Sequence, residues 1–320
     1  MFSACSNEEG ENLVFGVSTT TTQQTKARQA ADPLDGTLDP NRTTTTLVST
    51  LARDAGPILH VLGSIRPITG PAPDWQTIMP PLTNDNATIA SLGCTPTNEG
   101  CTSADVAAWA MGGIDLVNVA TSKAADERET LAEFIQDATT EGLNVVGYGL
   151  NLASAVNGVS VGTPGSPISV HAISVTASDD ASAGPDTPGI AGPSAFDALL
   201  ATIADRQSTG HGVVVIVDSG SLDDRAPSPS QIADIERLID AGVDAIVGHG
   251  SDYLERFDHV GSSSVAYGLG NAVIDTTEPL RTDSAVLRLE FDSPGRACLL
   301  PSTASAVGPM LDHETVHTCR

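Results

Sequence analysis

From about residue 57 onward, short apolar runs alternate with stretches of helical spacing. Residues 58–62 read as a strand, 103–111 as a helix stopped by Gly112-Gly113, and 114–119 as the next strand. Residues 126–140 carry Leu131, Phe134 and Ile135 at helical spacing and stop near Gly142. A strand follows over 145–148, and 159–161 with 168–175 read as a hairpin pair. Residues 176–193, rich in Ser, Asp, Gly and Pro, read as a surface loop. A helix is expected over 195–206 and a buried-type strand over 213–217. Ser228 can cap the next helix, Pro229 suits its first turn, and Gln231 completes a capping-box pattern. Ile232, Ile235, Leu238 and Ile239 give that helix one apolar face, and Gly242 suits its stop. Residues 245–247, 265–267 and 285–291 supply the last strands.

Early alternation and late hairpins imply a mixed α/β sheet system with helices outside. Functional loops in such folds lie where strands end. That directs attention to 63–64, 120–126, 218–221, 248–252 and 268–271.

Before residue 57 the pattern is different. Residues 18–47 hold two four-threonine runs, with Pro and Asp between them. Such a tract buries too little apolar surface to offset its ordering entropy, and reads as a tether. Met1-Phe2-Ser3-Ala4-Cys5-Ser6 resembles the end of a bacterial lipoprotein signal, with Cys5 as the lipidated residue, although the usual basic and apolar regions before it are missing. The expected organisation is an exported anchor and linker over 1–56 and a folded domain over 57–320, extracytoplasmic and either membrane-anchored through lipid or secreted.

The chain has 40 acidic and 15 basic residues, a formal net charge of −25. Clustered Lys and Arg are what phosphate backbones need, so a nucleic-acid partner is not expected. Dispersed acidity suits solubility, including in a salty environment. No stretch reaches the ~18 apolar residues of a membrane span. Aromatics are 3% of the chain, so the core must rest on Val, Ile, Leu and Ala. Apart from Cys5, the cysteines fall into close pairs, Cys94 with Cys101 and Cys298 with Cys319. They suit two local disulfides in an oxidising compartment, with four buried free thiols as the alternative.

Two loops are distinctive. Ala241-Gly242-Val243-Asp244-Ala245-Ile246-Val247-Gly248-His249-Gly250-Ser251-Asp252 is followed by Ala266-Tyr267-Gly268-Leu269-Gly270-Asn271. These resemble the A-G-A-D-x-I-V-G-H-H-P-H and Y-S-L-G-N-F motifs of the capsule-synthesis CapA family, also called the poly-gamma-glutamate synthesis family. Pro229 and Gln231 match its P-x-Q helix start, 120–126 aligns on A-N-N-H-A-L-D, and His60 to Ser64 align on its opening strand and G-D. Leu299-Leu300-Pro301 and Gly308-Pro309 resemble its closing strand and tail. The resemblance spans roughly 57 to 312 and implies a metallophosphoesterase-like sandwich of two sheets flanked by helices. In such sites two metal ions about 4 Å apart are held by carboxylate, Asn and His ligands.

The departures bear on function. The family's G-D is Gly63-Ser64 here, which removes a metal-bridging carboxylate. Its N-N-H is Thr121-Ser122-Lys123, its H-W-G is Asp218-Ser219-Gly220, and Gly250 stands where a His is usual. His249, Asp126 and Asn271 remain at motif positions, and the resemblance implies that His249 is the former ligand or catalytic His among them. Two expectations follow. In the first, the chain is a cell-envelope protein without the two-metal site. It takes no cofactor and binds or helps assemble an anionic surface polymer, a glycan or an envelope protein. In the second, Asp218, His249, Asp252 and Asp126 contribute to a rearranged site for Mn, Mg or Zn, and the chain is a metal-dependent phosphoester hydrolase.

Other residues have plainer readings. Gly158-Val159-Ser160-Val161-Gly162 matches a nucleophile-elbow pattern, but Thr163-Pro164-Gly165 cannot start the helix an elbow needs. Asp223-Asp224-Arg225 reads as an exposed charge cluster, His171 as a packed or edge histidine, and His313 and His317 as tail residues.

Overall fold

The computed structural model describes residues 56–67, 85–97, 100–219, 226–273, 282–292, 295–304 and 310–311. Cys5 and the rest of 1–55, Gly220 to Arg225, Gly308-Pro309, His313, His317 and Cys319 lie outside the described residues.

A seven-stranded sheet has the order β15-β14-β13-β1-β2-β3-β4. Its strands are β1 (Ile58–Ile65), β2 (Ala87–Leu92), β3 (Leu116–Asn118), β4 (Asn144–Val146), β13 (Asp283–Glu290), β14 (Arg296–Thr303) and β15 (Met310–Leu311). A six-stranded sheet has the order β11-β12-β10-β9-β7-β6. It comprises β6 (Val159–Thr163), β7 (Ser166–Ser174), β9 (Gly212–Asp218), β10 (Ala245–His249), β11 (Phe257–Val260) and β12 (Ser263–Ala266). A two-stranded sheet pairs β5 (Tyr148–Gly149) with β8 (Gly189–Ile190). The helices are α1 (Ser103–Met111), α2 (Ser122–Ala125), α3 (Arg128–Thr140), α4 (Leu152–Val156), α5 (Phe196–Ser208) and α6 (Pro229–Asp240). The fold is therefore mixed α/β with two main sheets, as the motifs implied.

Strand alternation divides the core in two. Leu59 and Val61 of β1, Ile89 of β2 and Leu116 of β3 join a cluster with the apolar residues of β7, β9, β10, α5 and α6. Leu62, Ala90, Leu92 and Val117, on the other face of the same strands, join Trp109 of α1 and Leu131 and Phe134 of α3. Trp109 and Phe134 meet edge to face at 6.3 Å between centroids. Elsewhere the packing is mostly aliphatic, with Phe196 and Tyr267 as the buried aromatics of the other cluster, and Val213 to Val217 are wholly buried in succession, as in a strand covered on both faces.

Several elements differ from the pattern reading. The helix expected over 126–140 begins only at Arg128, because Asp126 closes the short preceding helix α2 and Glu127 leaves the helical region (φ −136°, ψ 66°) before α3. The strand expected over 114–119 pairs only over Leu116–Asn118. Residues 145–148 are split between β4 and β5, which belong to different sheets. β2, β11 and α4 carried no clear periodic signal. Ser228 does cap α6 by accepting from the Gln231 N–H, but the Gln231 side chain closes no capping box. Its Nε2 donates instead to the Tyr267 carbonyl at 3.0 Å. Ser160 lies within β6, opposite Ser169 of β7, and no helix follows it.

β1 to β4 run parallel, as do β7, β9, β10 and β12. Their carboxyl ends carry the loops where ligands bind in open α/β sheets.

Candidate functional site

The backbone around Ser64 is held by the loop that follows β12. Ser64 N–H donates to the Gly270 carbonyl at 3.1 Å, and the Ser64 carbonyl accepts from Ala272 and Val273 at 2.8 and 3.1 Å. A Cβ at Gly63 would collide with the Gly270 carbonyl oxygen, so glycine there permits the approach. Ser64 and Asn271 form a parallel bridge.

Ser64 and His249 meet across the two sheets. Ser64 Oγ lies 3.4 Å from His249 Nδ1, with both residues buried. Burial pushes the His249 pKa below the usual imidazole value. Asp218, a Leu92 backbone hydrogen bond and Asp252 pull it up, while Arg66 adds to the lowering. Gly250 follows with φ of 106°, a conformation that a side chain at this position would strain.

Asp218, at the end of β9, is in register with His249. Its Oδ2 accepts from the Ser122 N–H at 2.6 Å, Ser174 Oγ at 2.8 Å and Thr176 Oγ1 at 3.2 Å. Asp218 thus fastens the start of α2, beneath the first sheet's β3 loop, to the second sheet. Thr121 caps α2 by accepting from the Ala124 N–H at 3.2 Å. Asp252 pairs with Arg66, whose Nη2 donates to Asp252 Oδ1 at 2.8 Å. Asn271 Nδ2 lies 3.5 Å from the Asp252 carbonyl.

The sequence-selected residues therefore divide. Ser64, Asp218, His249, Asp252 and Asn271, all buried, form one connected group with the half-buried Ser122. Lys123 is half-buried one residue beyond Ser122, and Asp126 is exposed at the far end of α2. The pattern reading missed Arg66, Ser174 and Thr176. Arg66 lies two residues past the motif serine, and Ser174 and Thr176 carry no motif.

The donor set does not fit a two-metal centre. A hydroxyl stands at Ser64, Lys123 occupies a motif position where the family has His, Asp218 Oδ2 is taken by three donors, and Asp252 Oδ1 is taken by a guanidinium. Among the described residues, no three His, Cys, Asp or Glu side chains are grouped to hold a metal ion. Within this connected group, Asp218 Oδ1 and Asn271 Oδ1, on residues 1% and 0% exposed, have no hydrogen-bond partner among the described residues.

Cys94 and Cys101 lie at disulfide-forming distance, 5.8 Å between Cα atoms. Cys94 Sγ also faces the Ile65 carbonyl at 3.7 Å, beside the candidate site. Cys298 is on β14. His171 is fully buried between Ser169 Oγ and the Val156 carbonyl, a packed histidine whose burial pushes its pKa down to about 4. Among the described residues, no helix is long and apolar enough to cross a membrane.

Two sheets whose parallel strands end on one loop cluster define a metallophosphoesterase-like α/β fold. A solved putative 5'-nucleotidase from Staphylococcus aureus shares it, with a TM-score of 0.50, 12% identity, and coverage of 82% of this chain and 56% of that one. At that identity the likeness is one of fold alone. The family described as "Bacterial capsule synthesis protein PGA_cap" matches residues 59–276, and the chain belongs to this family. The capsule biosynthesis protein CapA of Bacillus anthracis is 36% identical over 107 residues, 32% of this chain and 26% of that protein. The PGA biosynthesis protein CapA of Bacillus subtilis is 28% identical over 180 residues, 52% of this chain and 43% of that protein. The chain spans less than half the length of these curated relatives.

Proposed function

We propose that this chain acts in capsule synthesis outside the cytoplasm as a binding component, without the phosphoester chemistry of a two-metal centre. The loop cluster at the carboxyl ends of its parallel strands would recognise a surface polymer, with a glycan or an envelope protein as other classes of partner. Attachment to the membrane would run through lipid on Cys5. The observation that carries the reading is the chemistry at this cluster. Ser64 and Lys123 replace groups that could donate to a metal, and the Asp252 carboxylate is engaged by Arg66. A chain of net charge −25 repels a polyanion at long range, so recognition of an anionic polymer would depend on local cations such as Lys123 and on salt screening. Elemental analysis of the purified protein tests the first half of the reading. Stoichiometric, tightly held Mn, Fe or Zn would overturn it. Co-sedimentation with purified poly-gamma-glutamate tests the second half, and retention unchanged by Lys123→Glu would count against recognition there.

A second reading is favoured by the two unpaired buried oxygens. Asp218 Oδ1, Asn271 Oδ1 and His249 would hold one divalent cation, such as Mn, Mg or Zn, and support phosphoester hydrolysis. It requires chelator-sensitive phosphodiesterase activity that Asp218→Ala and His249→Ala each abolish. Activity surviving both substitutions would defeat it.

A further inference from the structure

Asp218 and Asp252 are 1% and 2% exposed, and both act on His249, which burial holds toward its neutral form. Two buried carboxylates beside a neutral imidazole need compensating positive charge. Asp218 is met by three neutral donors, while Arg66 is a cation that touches the other carboxylate, Asp252. Its Nη2 donates to Asp252 Oδ1 at 2.8 Å, and one fifth of its side chain remains exposed.

The pair is placed to do more than neutralise. Arg66 directly follows β1 of the seven-stranded sheet, and Asp252 lies three residues past β10 of the six-stranded sheet. The Ser64–His249 contact joins the ends of the same two strands. A guanidinium stays charged at all working pH values and is less strongly hydrated than an ammonium, so it suits a half-buried tie of this kind. A bound metal ion bridging acidic side chains from both sheets would supply the same two things, positive charge and a cross-sheet tie.

We propose that Arg66 is the built-in counter-cation of the loop cluster, clamping the two sheets through Asp252 in place of a bound metal ion. The proposal rests on the reading that the cluster holds no two-metal centre. The clamp and that reading fail separately, because a double-mutant cycle tests one and a chelator tests the other.

The experiment is thermal unfolding of the full chain, with and without EDTA, for wild type, Arg66→Met, Asp252→Asn, Arg66→Met/Asp252→Asn and Arg66→Lys. Arg66→Met, which takes the guanidinium away from a buried carboxylate, is expected to lower Tm by roughly 5 °C or more. The double variant is expected to recover part of that loss, and Arg66→Lys to fall between wild type and Arg66→Met. EDTA is expected to leave the wild-type Tm unchanged. Strictly additive effects of the two single changes, or an Arg66→Met Tm within 1 °C of wild type, overturn the clamp. Should Arg66→Met fail to fold, a folded double variant supports the clamp and an equally unfolded one overturns it. A wild-type Tm that drops in EDTA defeats the metal-free reading, while the cycle still decides the role of Arg66.

Discussion

Gln231 on α6 donates its side-chain N–H to the carbonyl of Tyr267, just past β12, at 3.0 Å, and both residues are buried. The bond fixes the helix to the strand that leads into the 268–271 loop, and that loop holds Ser64 in place. Gln231→Leu leaves the Tyr267 carbonyl without this donor, at a cost of about 1–3 kcal/mol. Gln231→Glu should cost more at neutral pH, because a carboxylate would face that carbonyl with no proton to give. Chemical denaturation measures both. Wild-type stability in Gln231→Leu would mean the contact is incidental.

Asp218 is the acceptor for three donors from two segments, the start of α2 and the chain at and just past the end of β7. Asp218→Ala should lower unfolding free energy by about 2–4 kcal/mol, since the Ser122 N–H and the Ser174 and Thr176 hydroxyls lose their partner together. Asp218→Asn keeps an acceptor oxygen and should cost about half as much. Equal losses in the two variants would show that charge, rather than the acceptor, matters at this position.

His171 makes stability depend on pH in a stated direction. Its folded-state pKa of about 4 lies below its unfolded value, so the unfolded chain takes up the proton first as pH falls. The His171 contribution is complete above about pH 6.5 and is lost between there and pH 4, to a limit of about 3 kcal/mol. His249, also lowered by burial, acts in the same sense. Denaturation series from pH 7.5 to 4 should be steeper for wild type than for His171→Gln. Parallel series would refute the assignment.

Cys94 and Cys101 should be found bonded in protein prepared without reductant. Glu-C cleaves at Glu99 between them, so the two fragments should stay joined in non-reducing mass spectrometry and separate on reduction. Closing so short a loop contributes about 2–3 kcal/mol, and Cys94→Ser should lose that amount. Fragments that separate without reductant would show free thiols.

Much of the frame was legible without coordinates, and for physical reasons. Short β-branched runs such as Val213 to Val217 favour strands buried on both faces. The Ser228-Pro229 start and Gly242 stop mark α6 through local backbone chemistry alone. The substituted motif positions could be read directly, since ligand chemistry belongs to the residue type. β2 escaped notice because Thr88 and Ser91 interrupt its pattern. Their burial is affordable only because Thr88 Oγ1 reaches Asp85 and Ser91 Oγ accepts from Asn118. The Gln231 side chain followed a local rule on paper and a distant carbonyl in the fold, where burial of Tyr267 left an acceptor to be satisfied. Arg66, Ser174 and Thr176 carry no motif at all. Their roles depend on two sheets bringing residues up to 186 positions apart within hydrogen-bond reach, as for Arg66 and Asp252. Residue identity thus determined which donor groups the motif positions offer, and the packing of one sheet on the other decided which side chains meet there.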